Sequence, residues 1–238
     1  MFSKKYYIFL FVNFVYINNI YSQQSGNEDD FKKAEIYFFQ NKYGASKQLL
    51  LQVIKTSPSH PKAFSYLGDI SLVSEQYDEA LQYYQIAKDL SANPGMEFFR
   101  MGQIYIKLKK PDEAIKAFQT AVELNSSLKQ SYFQVGYVWL VLKREKQHTI
   151  EYWQKYLDIA PQDPQYEDIK RAIALLSEED FVIPDIGSDV SLEEALMLGG
   201  KTIEAERANA KDKTAGNEKE KTSNRTEGLL DKAPIDDL

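Results

Sequence analysis

The 238-residue sequence has no cysteine and only two histidines, His60 and His148. Without cysteine there is no disulfide, no thiolate metal site and no lipid attached through an N-terminal cysteine. His60 falls at a predicted junction between Ser59 and Pro61 and His148 in a distant predicted helix, and neither has metal-ligand spacing around it. There is no phosphate-binding P-loop and no G-x-G-x-x-G fingerprint. Positive charge is not in excess: 29 Lys and Arg stand against 35 Asp and Glu, a net charge of −6. Such a balance leaves no electrostatic footprint for nucleic acid. The acids are scattered as a solvated helix surface requires, and no catalytic constellation emerges. The residues therefore predict a non-enzyme with no cofactor and no metal. Glycine is scarce at 11 residues, and three of these glycines carry the main signal.

Gly68, Gly102 and Gly136 recur every 34 residues, each with matching neighbours. Phe64, Leu67, Ala80, Tyr84 and Ala87 are answered by Phe98, Met101, Ala114, Phe118 and Ala121. A third copy follows with Tyr132, Val135 and then Tyr152. Tyr105 and Trp139 hold the aromatic position three residues after their glycines. A fixed period in this range means stacked structural units. A glycine inside a helix costs up to ~1 kcal/mol against alanine. Its recurrence at one phase points to a need for space, where a first helix closely approaches a second. Ala80 and Ala114 are expected to face that contact.

This pattern resembles the tetratricopeptide repeat, a helix–turn–helix unit of 34 residues. The resemblance implies an all-α, right-handed superhelical solenoid of about four helix pairs plus a C-terminal capping helix. One repeat cannot bury its own apolar face, so neighbours must stack to build a continuous core. The repeats are expected at 27–60, 61–94, 95–128 and 129–162. The first is degenerate, with Ala34 in the glycine phase and Tyr43, Ser46 and Leu50 in its second helix. Pro58 and Pro61 close it. Pro111 opens a second helix, where its missing N–H costs nothing. In the fourth repeat, His148 and Lys155 occupy the two alanine phases, which predicts looser stacking or a change of partner there. A capping helix is expected over 164–177, with Tyr166, Ile169, Ile173 and Leu176 on one face.

The ends differ in composition. Lys4 and Lys5 precede an apolar run, Tyr6 to Tyr21, and then a polar one. Residues 1–22 read as a signal peptide, with an uncleaved anchor as the rival. The chain is thus expected to be exported, periplasmic or envelope-associated in a bacterium, with secretion the second choice. Membrane association follows only if the leader is retained. Residues 178–238 read as a flexible tail. Phe181 to Pro184 lie against the cap or stay exposed, and a short helix is predicted over 191–207 from the capping box at Ser191 to Glu194. From Ala208 to Gly228 there is no apolar period, so disorder is expected.

A solenoid offers an extended concave surface to a protein or peptide partner. In the resembled family the first helix of each repeat lines that groove. The matching positions are Phe31, Glu35, Ser65, Asp69, Phe99, Gln103, Phe133 and Tyr137, with Phe38, Phe39, Leu72, Ile106 and Leu140 a turn further on. None is Lys, Arg or Asn, which argues against the family's carboxylate-binding members. The expected groove is aromatic and apolar, unless Phe99 and Phe133 are core residues. The function expected is a non-catalytic adaptor of the cell envelope. The alternative is a self-associating or envelope-assembly factor held by its N-terminal segment, which makes a homo-oligomer the second kind of partner.

Overall fold

Proline and left-handed residues punctuate the chain. The computed structural model describes residues 27–184, 191–192 and 195–196. The expected leader and the stretch from 197 to 238 lie outside the described residues. Among the described residues every regular element is helical: α1 (27–39), α2 (Tyr43–Thr56), α3 (Pro61–Val73), α4 (Tyr77–Leu90), α5 (Gly95–Lys107), α6 (Pro111–Leu124), α7 (Gln130–Val138), α8 (Lys146–Ile159) and α9 (Tyr166–Leu176). α7 runs on into a single π-turn, Trp139–Lys143. Pro61 and Pro111 each stand at the first position of a helix, where a missing N–H is no loss. His60 caps α3, its Nδ1 accepting from the Ala63 amide at 3.2 Å.

The turns inside successive pairs share one device. Asn41, Glu75, Lys109 and Arg144 all have positive φ, between 55° and 60°. In this conformation a Cβ crowds the backbone at a cost of roughly 1–2 kcal/mol. The first three are spaced at 34, but Arg144 comes 35 after Lys109. The extra residue is the one taken up by the π-turn just before Arg144, since a π-turn closes i→i+5 bonds.

That insertion corrects the frame of the fourth repeat. Counted at 35, the positions of Ala80 and Ala114 continue to Thr149, and those of Ala87 and Ala121 continue to Tyr156. Thr149 and Tyr156 are buried, whereas Lys155 is exposed and His148 half-exposed. The aromatic slot of Tyr84 and Phe118 likewise passes to Trp153, not to Tyr152. Tyr152 is half-exposed, accepts from Gln119 Nε2 at 2.7 Å and lies under the Lys155 ammonium. The looser stacking expected of His148 and Lys155 therefore does not arise. A polar residue merely sits outside the core.

The chain forms two compact units. The first comprises the described residues to Leu108 together with 123–126, and the second comprises 109–122 and the described residues from Ser127 onward. In the first, Phe31, Ala34, Leu50, Val53, Ala63, Leu67 and Ile70 form one core cluster. Ala80, Tyr84, Met101 and Ile104 form another. Gly68 does what its recurrence predicted. A Cβ there would lie 2.6 Å from Tyr84 Cε1, so the close approach of α3 and α4 tolerates no side chain. The nearest atoms are those of the Tyr84 ring, where Ala80 was expected. In the first pair the same phase holds Ala34 opposite an aliphatic slot, Leu50. Here Ser46 Oγ donates to the Ala34 carbonyl at 2.9 Å.

In the second unit Gly136 approaches Trp153 in the same way. A Cβ would fall 2.4 Å from its Cδ1. The core here continues through α9 into the segment beyond it. Phe181, Ala195 and Leu196 are buried with Ile169, Ala172 and Leu176, and Leu192 packs against them. Lys146 Nζ donates to the carbonyls of Glu178 and Phe181 at 3.1 and 2.8 Å, fastening that segment to the start of α8. Packing thus extends past residue 178, where a flexible tail was expected. Val182, 76 % exposed, is the outward residue of the run. The Ala195 amide donates to the Ser191 carbonyl at 3.0 Å, a helical bond at the predicted helix start. The remainder of that helix, to 207, lies outside the described residues.

Candidate protein-binding surface

The first helices of the first unit, α1, α3 and α5, are tied side by side by polar contacts. The Tyr66 hydroxyl donates to Glu35 Oε1 at 3.1 Å. Ser65 Oγ donates to Glu97 Oε1 at 2.7 Å. Arg100 Nε meets Asp69 Oδ1 at 2.9 Å, and both side chains are largely buried. From α4 the Tyr84 hydroxyl donates to the same Asp69 oxygen. Asp69 is therefore not a free groove-lining acid. Burial pushes its carboxyl up, against the pull of Arg100 and Tyr84. Tyr66 is raised to about 12, first by burial and then by the Glu35 carboxylate. Tyr84 rises well above a normal phenol for the same two reasons, burial and then Asp69.

The expected groove residues divide three ways. Ser65 and Asp69 belong to this polar ladder, so the first-helix face of the first unit is not simply aromatic and apolar. Phe99, Gln103 and Ile106, all on α5, are half-buried and partly open to solvent. On α7 in the second unit, Tyr137 is also half-buried. Phe31, Phe133 and Leu140 are corrected: all three are core residues. The Phe133 ring stacks on Trp153 at 5.5 Å and 8°, and the Trp153 indole N–H donates to the Phe133 carbonyl at 3.1 Å. A bulky indole in the aromatic slot draws the α7 ring inward.

Sequence reasoning missed Arg100, Glu97 and Tyr66, and it placed Glu35 among the inner groove positions without its bond to Tyr66. One signal was available. Asp69 interrupts the apolar run Leu67-Gly68-Asp69-Ile70, and a carboxylate so placed requires a cation or several donors. The partner cannot be picked from sequence, because Arg100 reaches it from the next repeat.

Models of the tetratricopeptide repeat match residues 31–95 and 97–128. This is a tetratricopeptide-repeat protein. The matches stop before the fourth repeat, where the π-turn breaks the 34-residue period. No curated protein matches the chain. Solved structures share its fold. YrrB, described as a TPR protein with an unusual peptide-binding site, is 21 % identical over 62 % of this chain and 74 % of its own, with a TM-score of 0.52. A MamA protein is 18 % identical over 81 % of this chain and 98 % of its own, at 0.57. The O-GlcNAc transferase of Thermobaculum terrenum, in its K341M form, is 12 % identical over 58 % of this chain and 26 % of its own, at 0.53. Repeats of this kind are protein–protein interaction scaffolds and in general non-catalytic, although the transferase is an enzyme that contains them. Likeness at these identities speaks of fold alone.

Proposed function

We propose that the protein is a non-catalytic adaptor that holds a peptide or helical segment of a partner against the first-helix face of its repeats. The observation that carries this reading is the side-by-side array of α1, α3 and α5. Its helices are locked together by the Glu35–Tyr66, Ser65–Glu97 and Asp69–Arg100 contacts, while Phe99, Gln103 and Ile106 remain partly open. A rigid face with adaptable edges suits an extended or helical ligand, because little ordering entropy is lost on the receptor side. The residues left for contact are mixed, apolar at Phe99 and Ile106 and amide at Gln103. The polar ladder beneath them sets spacing rather than supplying free charge. The site of action proposed is the bacterial envelope. Its support is the sequence of residues 1–22, a basic start followed by an apolar run. N-terminal sequencing of the native protein should begin near Gln23, and an intact Met1 in a cytosolic fraction would refute export.

The adaptor reading is tested by affinity capture with the full chain. The comparison is the double variant Gln103→Arg with Ile106→Arg, checked for native helix content. Loss of the captured partner is expected. Undiminished capture by a folded variant would sink the assignment of this face.

A further inference from the structure

We propose that the crossing of α3 and α5 is a proton-operated element, with Asp69 as its proton site, that ties the docking face on α5 to pH. The proposal rests on the adaptor reading for what the face holds and adds its regulation. Asp69 and Glu97 are the buried acids among the described residues, 6 % and 8 % exposed. They stand on neighbouring first helices, with the largely buried Arg100 guanidinium set against them. With all three ionised, the crossing would hold one net negative charge out of water. A buried charge without a counter-charge is costly, and uptake of a proton relieves it. The geometry provides a place for that proton. The Tyr84 hydroxyl and Arg100 Nε both converge on Oδ1 of Asp69, so a proton on Oδ2 leaves both contacts in place.

The groups that face Asp69 come from several helices. α5 supplies Arg100 and Glu97, and α4 supplies the Tyr84 hydroxyl. Tyr66, on α3 itself, feels the Asp69 charge and donates to Glu35 of α1. The Lys47 ammonium of α2 pairs with Glu79 instead, at 3.2 Å. Glu97 accepts from Ser65 Oγ at 2.7 Å. Arg100 is thus the one cation of the set. Burial raises the Asp69 carboxyl, Arg100 and Tyr84 oppose the rise, and Glu97 adds to it. A carboxyl raised in the folded state gives stability that is full in acid and is lost as pH climbs through its folded value. Loss of the proton leaves Asp69 and Glu97 as like charges across the crossing. Arg100 follows Phe99 on α5 and lies one turn before Gln103, so a shift of that helix reaches the contact residues. A partner laid over the face excludes more water from the crossing, which disfavours the ionised carboxyl further. Proton and partner therefore bind cooperatively, and by reciprocity the face holds its partner more tightly as pH falls.

A pH titration of the full chain without a partner tests the element apart from the capture experiment. The chain is labelled with carbon-13 at aspartate carboxyls and nitrogen-15 at glutamine side-chain amides, and followed by NMR. Asp69→Asn and Gln103→Met assign the two signals. The Asp69 carboxyl should titrate above the ordinary carboxylate range while helical circular dichroism stays native. The Gln103 amide should shift with the same midpoint, and the Gln82 amide, exposed on α4, should stay in place. In Asp69→Asn the Gln103 step should vanish. Glu97→Gln keeps the titrating group and removes a like charge, so it should lower the Asp69 midpoint and carry the Gln103 step down with it. This second variant decides the matter if Asp69→Asn does not fold. An Asp69 midpoint within the ordinary range overturns the proposal. So does a Gln103 amide that ignores that midpoint, or one that still steps in folded Asp69→Asn. Failure here leaves the adaptor reading to the capture experiment. Failure of capture with the Gln103 step intact would instead remove the adaptor and keep the proton-operated crossing.

Discussion

Replacing Gly68 with alanine sets two effects of opposite sign against each other. Within α3, alanine is the better helix former by up to ~1 kcal/mol. Against this, the new Cβ would lie 2.6, 2.8 and 2.9 Å from Cε1, Cδ1 and Cζ of Tyr84. The ring cannot yield cheaply. It is fully buried, and its hydroxyl is bound to Asp69, which Arg100 holds in turn. Overpacking a well-filled core costs typically ~1–3 kcal/mol. With three stiff ring atoms in the way, the upper part of that range applies, so a net loss of about 1–2 kcal/mol is expected. Denaturant unfolding followed by circular dichroism should show a lower midpoint at unchanged slope. The decisive comparison is the same substitution in a Tyr84→Leu background, which copies the Ala34 and Leu50 pairing of the first repeat. There the clash is gone, and Gly68→Ala should be neutral or stabilising. The two substitutions would show a coupling of ~1 kcal/mol or more. Stabilisation by Gly68→Ala alone would refute the close-approach argument, and so would an equal cost in both backgrounds.

Three further outcomes follow from the packing and the buried charges. Phe133→Ala removes a buried ring stacked on Trp153 and should cost about 3–5 kcal/mol of folding stability; a melting temperature within a degree of the parent would return Phe133 to the surface. Arg100→Ala strands the buried Asp69 carboxylate and should cost roughly 3–5 kcal/mol near neutral pH. Because burial already raises the Asp69 carboxyl, the folded state favours its proton. Stability linked to this group is full in acid and is lost as pH rises through its folded value, so the deficit of Arg100→Ala should shrink in mild acid, and a deficit independent of pH would contradict the pairing. Tyr66, held up to about 12, keeps its proton over a range where the unfolded chain ionises from about 10 upward. Stability should therefore fall as pH climbs through that window, with phenolate absorbance and loss of helical dichroism rising together, whereas free titration of Tyr66 in the folded protein would show it to be unprotected.

Much of the architecture was legible because its causes are local and periodic. The glycine phase exposed the helix crossings directly, and Gly68 and Gly136 meet their aromatic partners as close approach requires. Pro111 marked a helix start for a reason that needs no tertiary context, and Pro61, read as closing the first repeat, opens α3 for the same reason. The fourth repeat was misread by one residue because Leu142 and Lys143 mimic Leu108 and Lys109 at 34. The warning lay in His148 and Lys155, two polar residues at buried phases. A one-residue shift replaces them with Thr149 and Tyr156 and brings Trp153 into the aromatic slot. The groove was harder to read. Helix phase alone could not separate Phe99, half-open on α5, from Phe133, drawn inward by an indole that the wrong frame had placed elsewhere. The Asp69–Arg100 pair joins residues 31 apart in sequence, and no local pattern specifies such a match. The burial of Phe181 and Leu196 likewise depends on a surface built by α8 and α9, which a short apolar run cannot announce.

The most direct test of the adaptor assignment is site-specific photocrosslinking in the native cell. A benzophenone side chain at Gln103, on the first-helix face of α5, is compared with one at Gln82, exposed on the second helix α4. The account predicts a discrete crosslinked partner from position 103 and none of that product from position 82. The same partner captured equally from both positions, or from 82 alone, would contradict it.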